Sequence, residues 1–280
     1  MSISASDVKK LRDQTGAGMM DCKKALTEAD GDFEKAIEVL RKKGQKLSAK
    51  RADREAKEGV VIAKTSANKN KGVVIRLSCE TDFVAKGEGF VSLAESFADV
   101  ALKNLPNTKE ELLALEIDGI SIASKIEEQT GVIGEKLELT DYGKIETEAG
   151  KGQVLPYIHM GYKAGVIVAL NQEGPQFEEP GKNVAMQIAA MHPIAVNKED
   201  VDQAIIEKEI EIGMEIARKE GKPEEMLDKI AKGKLNKYFQ ENTLLNQAYV
   251  KSNNKESVDG YLRSFDPELT VTAFKHIKLG

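Results

Sequence analysis

Few side chains in this sequence could do covalent or acid–base chemistry at neutral pH. Two cysteines, Cys22 and Cys79, and three histidines, His159, His192 and His276, are the whole supply among 280 residues. Cys22 could serve as a nucleophile with a distant histidine as base. It also falls on the apolar stripe Met19, Cys22, Leu26 and Ala29, and core packing is the plainer reading. His159 lies in the run YIHMG, where a half-buried strand histidine is the bland account, and His192 and His276 have no identifiable partner. Neither GxxxxGK[ST] nor GxGxxG occurs, so no loop is built to cradle a phosphate. Cysteine and histidine spacing matches no metal site, no pair of acids stands at a recognisable catalytic spacing, and no cofactor is expected.

One short segment remains, Glu80-Thr-Asp-Phe-Val-Ala85. It follows a β-rich run that ends at Cys79 and precedes a helical pattern containing Phe90, so it occupies a loop. A loop there can present an aromatic ring and a carboxylate away from a sheet. Alternatively, Asp82 caps a helix and Phe83 belongs to the core.

The elements around it read as follows. Residues 1–44 give three short helices, the first opened by a Ser4–Asp7 capping box and closed at Gly16. The second ends near Gly31. The third carries Phe33, Ala36, Ile37 and Leu40 and is expected to stop at Gly44, leaving residues 45–58 as a cationic linker. Residues 60–65 and 73–79 form a hairpin across SANKNKG, followed by a helix with Phe90, Ala94, Phe97 and Ala101 on one face. The same order returns with strands at 154–160 and 165–170 and a helix carrying Val184, Ile188 and Met191. Gly72-Val-Val-Ile-Arg-Leu77 aligns with Gly165-Val-Ile-Val-Ala-Leu170 at an offset of 93, which reads as an internal repeat. Between the units, a capping box at Thr108–Glu111, a helix near 120–133 and an extended stretch at 136–148 are expected. Two long helices follow, with stripes Val201, Ile205, Ile212, Ile216 and Leu227, Ile230, Leu235, Tyr238, joined at Gly221-Lys222 as an antiparallel hairpin. The end, LTVTAFKHIKL, alternates as a strand. The fold class is therefore α+β, divided into a three-helix module (1–44), a linker (45–58), core units at 59–140 and 141–197, a helical hairpin (198–240) and a return to the second unit (241–280).

Composition limits the partners. Hydrophobic residues make up 41% and charged residues 31%, and the longest uncharged stretch, 183–197, is too short to span a bilayer. The N-terminal run lacks the charge and apolar segments of a secretory signal, and two cysteines suggest a reducing cytoplasm. Arg41–Lys57 carries eight Lys/Arg against two acids in a chain of net charge −5. Such a run can contact nucleic acid, but no stacking aromatics accompany it, so a solvated linker is the plainer account.

The run Leu11-Arg-Asp-Gln-Thr-Gly-Ala-Gly-Met-Met-Asp-Cys-Lys-Lys-Ala-Leu26 resembles the N-terminal signature of the bacterial elongation factor Ts family, and ETDFVA at 80–85 resembles its second signature. YIH at 157–159, AMQIAAM at 185–191 and EGKPE at 220–224 agree in order, so the likeness covers essentially the whole chain. It implies a guanine-nucleotide exchange factor, not an enzyme, that binds the GTPase elongation factor Tu and releases its GDP. It further implies that Thr81, Asp82, Phe83 and Val84 intrude beside the GTPase Mg²⁺ site, and that His159 wedges into the partner with Phe83. Met19, Met20, Asp21 and Lys23 would lie in a UBA-like module touching the nucleotide-binding domain, and the paired helices would be a protruding coiled coil. The resemblance allows a dimer of the complex. Because the sequence ends at Gly280 after its last strand, the contact made in some members by a further C-terminal helix is not expected. Two other classes fit the residues alone: a docking adaptor built on the helical module, and an RNA-binding protein using the basic run.

Overall fold

A computed structural model describes residues 3–254 and 256–280. Helix α1 (Ala5–Thr15) starts with the expected box: Asp7 N–H donates to Ser4 Oγ and Ser4 N–H to Asp7 Oδ2, both at 3.1 Å. Gly16, left-handed at φ 71°, ends it. Helices α2 (Met19–Glu28) and α3 (Phe33–Lys50) complete a small bundle around Leu11, Cys22, Leu26 and Ala36, so Cys22 is a core residue.

Helix α3 does not stop at Gly44. It runs to Lys50, so the first part of the expected linker, residues 45–50, is helix. Gly44 is needed for contact rather than for termination: it faces Gly131 of α7 (Ile122–Ile133), where a Cβ on Gly44 would come within 2.7 Å of the Glu127 carbonyl. Two glycines let the backbones meet, and the three-helix module is thereby fixed to the first core unit. A glycine inside a helix carries no sign in sequence of which of these roles it has.

The first sheet has strand order β1–β2–β5, built from β1 (Glu58–Thr65), β2 (Lys71–Cys79) and β5 (Glu138–Glu146), all antiparallel. The expected boundary at residue 140 cuts through β5, which belongs wholly to the first unit. After β2 come the one-turn helix α4 (Asp82–Ala85), then α5 (Glu88–Asn104), whose Phe90, Ala94, Phe97, Ala98 and Ala101 are buried against the sheet. Helix α6 (Lys109–Ala114) opens with Thr108 accepting from Glu111 N–H, while Glu111 reaches back to Asn107 N–H rather than to the cap itself. A short hairpin, β3 (Glu116–Ile117) and β4 (Ile120–Ser121), leads into α7.

The second sheet repeats the first with order β6–β7–β8, from β6 (Gln153–Ile158), β7 (Ala164–Leu170) and β8 (Val271–Lys278), covered by α8 (Glu178–Met191). The repeat extends to register. Val60 opposite Leu77 in the first unit corresponds, at the offset of 93, to Gln153 opposite Leu170 in the second. Each central strand also has a bulge at the same place, between Arg76 and Leu77 and between Ala169 and Leu170. The two sheets pack face to face around a pseudo-twofold axis. A Cβ on Gly72 would meet Val154 Cγ1 at 2.5 Å, and one on Gly165 would meet Val61 Cγ1 at 2.7 Å, and these two contacts are each other's image. Val184 and Ile188 of α8 are buried as expected, but Met191 at its end is exposed.

Helices α9 (Gln203–Lys219) and α10 (Glu224–Asn242) pack mainly on each other. Leu227 and Leu235 of α10 are buried as expected, but the α9 side of the seam differs from the expected one. Gly213 and Ala217 are buried, Gly213 against Ala231, and Ile205, Ile212 and Ile216 are exposed. Isoleucines at both 205 and 206 let two stripes fit the sequence, and the close approach at Gly213 selects the one that contains it. Arg218 clasps Glu224 across the link with two hydrogen bonds of 2.8 and 3.3 Å. Parallel pairing of Ala195 with Thr243 closes the base of the hairpin. Helix α11 (Val258–Arg263) then leads back to β8.

Candidate functional site

Where β2 ends, the chain makes a tight turn rather than a loose loop. Thr81, not Asp82, caps α4, with Val84 N–H donating to Thr81 Oγ1 at 3.3 Å. Ala85 is buried in the first core and anchors the far end. Between these fixed points Phe83 is 85% exposed, so the core reading of this ring is excluded. A phenyl ring held in water by a short, capped turn gives up apolar burial that a flexible loop could recover by folding back.

Asp82 is also exposed, and Lys86 Nζ donates to its Oδ2 at 2.6 Å. That hydrogen bond first, and then the ammonium charge, hold the Asp82 carboxyl below its ordinary value, so it is ionised at neutral pH. Exposed i,i+4 pairs of this kind are weak and readily exchanged.

The turn is fastened from below. Glu135, just after the Gly134 that ends α7, accepts from Glu80 N–H (3.1 Å) and Thr81 N–H (3.0 Å) on Oε2, and from Thr81 Oγ1 (2.7 Å) on Oε1. In return the Glu80 carboxylate accepts from Lys136 N–H and from Arg51 Nη1, each at 2.6 Å. These bonds, the Lys136 amide first, hold the Glu80 carboxyl below its ordinary value. Lys136 Nζ donates to the carbonyls of Ala52 and Arg54 just past the end of α3. Three segments distant in sequence thus meet under α4. Beside them, burial first and then the Glu135 charge push the Cys79 thiol up to about 12, which leaves it protonated and unreactive.

His159 is brought to the same end of the molecule. It follows β6, lies outside the strand, and is exposed rather than half-buried; its Nδ1 is 3.0 Å from Tyr157 Oη. The next residue, Met160, is 87% exposed. A shallow hollow lined by Gly59, Asp82, Lys86, Val91, Tyr162 and Lys163 separates this hairpin tip from α4. The turn that carries Asp82 and the tip that follows His159 and Met160 are therefore the two lips of this hollow.

The pseudo-equivalent place in the second unit is also a hollow, lined by Lys69, Gly174, Pro175 and Glu178. There Lys69, on the first hairpin tip, pairs with Glu178, and Gln176 stands at the offset of 93 from Phe83. Only one of the two related ends presents an aromatic ring.

Met19, Met20, Asp21 and Lys23 sit at the start of α2. Met20 is 65% exposed, Met19 and Lys23 are exposed too, and Asp21 is paired with Lys43 at 2.5 Å. Among the described residues no hydrogen bond or ion pair links them to the two lips. Sequence reading also missed contacts between distant positions. His192 and His276, read as partnerless, stack at 5.1 Å between ring centroids. Glu135 lies far from Glu80 in sequence and matches no motif, so nothing in the sequence marks it.

A family profile described as Elongation factor TS matches residues 80–280. The chain is 53% identical to Elongation factor Ts of Christiangramia forsetii over 278 residues, covering 99% of each. It is 53% identical to that of Flavobacterium psychrophilum over 279 residues, covering 100% of this chain and 99% of the other. It is 52% identical to that of Cytophaga hutchinsonii over 280 residues. The chain belongs to the elongation factor Ts family. It is accordingly a guanine-nucleotide exchange factor of translation elongation and not an enzyme. As in the rest of the elongation factor Ts family, the relevant chemistry is then contact with a GTPase, and exposed side chains on rigid supports are the ones to examine. No described helix is long and apolar enough to cross a membrane.

Proposed function

We propose that this chain releases GDP from elongation factor Tu by pressing the Asp82–Phe83 turn against the Mg²⁺ and phosphate end of the nucleotide site, with His159 as the second lip of the wedge. The supporting observation is the exposed Phe83 ring on a turn fixed at both ends. An exchange factor has only to stabilise the GTPase state in which nucleotide contacts are broken. By linkage, whatever weakens nucleotide binding has its own binding weakened by nucleotide to the same extent. Desolvating a phenylalanine in a partner pocket supplies about 1.5–3 kcal/mol. At about 1.4 kcal/mol per decade, that corresponds to about one to two decades in release rate. Asp82, freed from Lys86, adds negative charge where a cation and its water ligands are held. Thr81 and Val84 support the turn by capping and by packing.

The finer assignments belong to the same reading. The three-helix module acts as a UBA-like contact to the nucleotide-binding domain through Met19, Met20, Asp21 and Lys23. The hairpin acts as a coiled coil, the two core units divide the remaining interface, and the factor works in the cytoplasm, in a complex able to dimerise. An RNA-binding role for the basic run is disfavoured by its ion pairs, since Arg41, Lys43 and Arg51 are engaged by carboxylates of other elements. The deciding experiment is stopped-flow release of fluorescent GDP from elongation factor Tu with the parent chain and Phe83→Ala. An unimpaired variant of parental stability would defeat the proposal.

A further inference from the structure

We propose that Glu135 is a positioning residue for nucleotide exchange: its carboxylate fixes the direction in which the Asp82–Phe83 turn leaves β2. This rests on the wedge reading above. A four-residue helix cannot hold itself, because the first helical turn costs more conformational entropy than its hydrogen bonds return. Something outside it must set its axis, and the side chain that does so here is that of Glu135. One carboxylate takes both backbone N–H groups at the exit of β2 and the hydroxyl of the capping residue, three donors within 3.1 Å. Bonds to an ionised acceptor are the stronger kind, and two oxygens serving three donors leave little rotational freedom.

The fold itself does not require this arrangement. The pseudo-equivalent exit, after β7, does without it. Strand register places Leu77 opposite Leu139 and Leu170 opposite Val271, and counting back equally from those partners puts Pro267 where Glu135 stands. That exit is held instead by Asn171, which accepts from Thr270 N–H and donates to the Glu268 carbonyl. At the offset of 93 it puts Gln176 where the Glu135-clamped exit presents the exposed Phe83. The carboxylate clamp therefore accompanies the presented ring, not the sheet.

GDP release is to be measured with full-length parent, Glu135→Ala, Glu135→Gln, Phe83→Ala and the Glu135→Ala/Phe83→Ala double variant, over a concentration series. Glu135→Ala should slow the saturating release rate by about ten- to a hundredfold, the scale of a displaced catalytic element, with a smaller change in the half-saturating concentration. In the Phe83→Ala background the same substitution should slow release by clearly less, since of the two groups it positions only Asp82 remains. Glu135→Gln should recover most of the rate. Its amide oxygen can accept both backbone N–H groups while its NH₂ donates to Thr81 Oγ1. Equal losses from Glu135→Ala in both backgrounds, or a parental rate for Glu135→Ala beside a slow Phe83→Ala, would overturn this inference alone. A parental rate for Phe83→Ala would remove the wedge reading and this inference together. If Glu135→Ala does not fold, Glu135→Gln at a rate as low as Phe83→Ala would equally overturn it.

Discussion

Asp82 and Phe83 are neighbours on one exposed turn, yet they should fail in different ways when changed, one acting by charge and the other by shape. Phe83→Ala should slow GDP release by about one to two decades at every Mg²⁺ concentration, following the burial estimate. Asp82→Ala should show a defect that shrinks as Mg²⁺ is chelated, because the ion it helps displace is already gone. A Mg²⁺ titration of both variants separates the two; identical, Mg²⁺-independent losses would show that the roles are not distinct. The cap belongs to Thr81, so Asp82→Ala need not cost the turn its hydrogen bond. A second residue-level expectation concerns the stacked pair at the far side of the second sheet. Burial first, and then the His192 charge, push His276 down to about 4 from an ordinary 6.5, and burial lowers His192 as well. Between those two values the unfolded chain binds more protons than the folded one, so stability should be full above about pH 6.5 and fall as pH drops toward 4. His276→Phe should flatten that part of a pH–melting curve. An unchanged curve would mean that the imidazole is already charged in the folded chain.

At the level of elements, the long α3 and the hairpin invite opposite expectations. Helix α3 is tied to the core through Gly44 and Gly131, so Gly44→Ala should destabilise by about 1–3 kcal/mol through overpacking, although alanine is the better helix former. Urea denaturation measures this, and a stabilised variant would show that the module is not docked as described. The hairpin is tied to the rest chiefly at its base, where Ile194 N–H donates to the Asn242 carbonyl and Leu244 N–H to that of Ala195. Replacing Ile205–Tyr238 by a short linker should therefore leave the core folded. Exchange should then fall less than with Phe83→Ala; complete loss with an intact circular-dichroism spectrum would make the hairpin essential.

The whole molecule is a pair of related units that have diverged at their ends while keeping the same centre. Gly72 and Gly165 occupy pseudo-equivalent positions against Val154 and Val61. Alanine at either should therefore cost a similar amount, about 1–3 kcal/mol each. Because both substitutions widen the same interface, the double variant should cost less than the sum. Full additivity in denaturation would argue that the two contacts open independently. The divergence of the ends explains how a symmetric core supports an asymmetric task. One exit carries an exposed ring on a carboxylate clamp, and the other carries Gln176 in that place, beside the Lys69–Glu178 pair.

Periodicity and turn chemistry were enough to find most helices and strands, the α+β class and the internal repeat at 93, because each depends on residues close together in the chain. The candidate turn at 80–85 was legible too, as a recognisable run placed between a strand and a helix. Whether Phe83 faced core or solvent was not, since that depends on what the rest of the fold leaves uncovered. The same limit applies to the end of α3, where Gly44 reads as a stop in sequence but is a contact with Gly131 in the fold. It applies as well to the α9 seam, where neighbouring isoleucines offered two faces, and to β5, whose sheet is set by pairing with β2. Glu135, His276 and the meeting of Asp82 with the His159 hairpin are the extreme cases. Their partners are remote along the chain, so only tertiary packing, which brings distant charges and donors within a hydrogen bond's reach, could decide them.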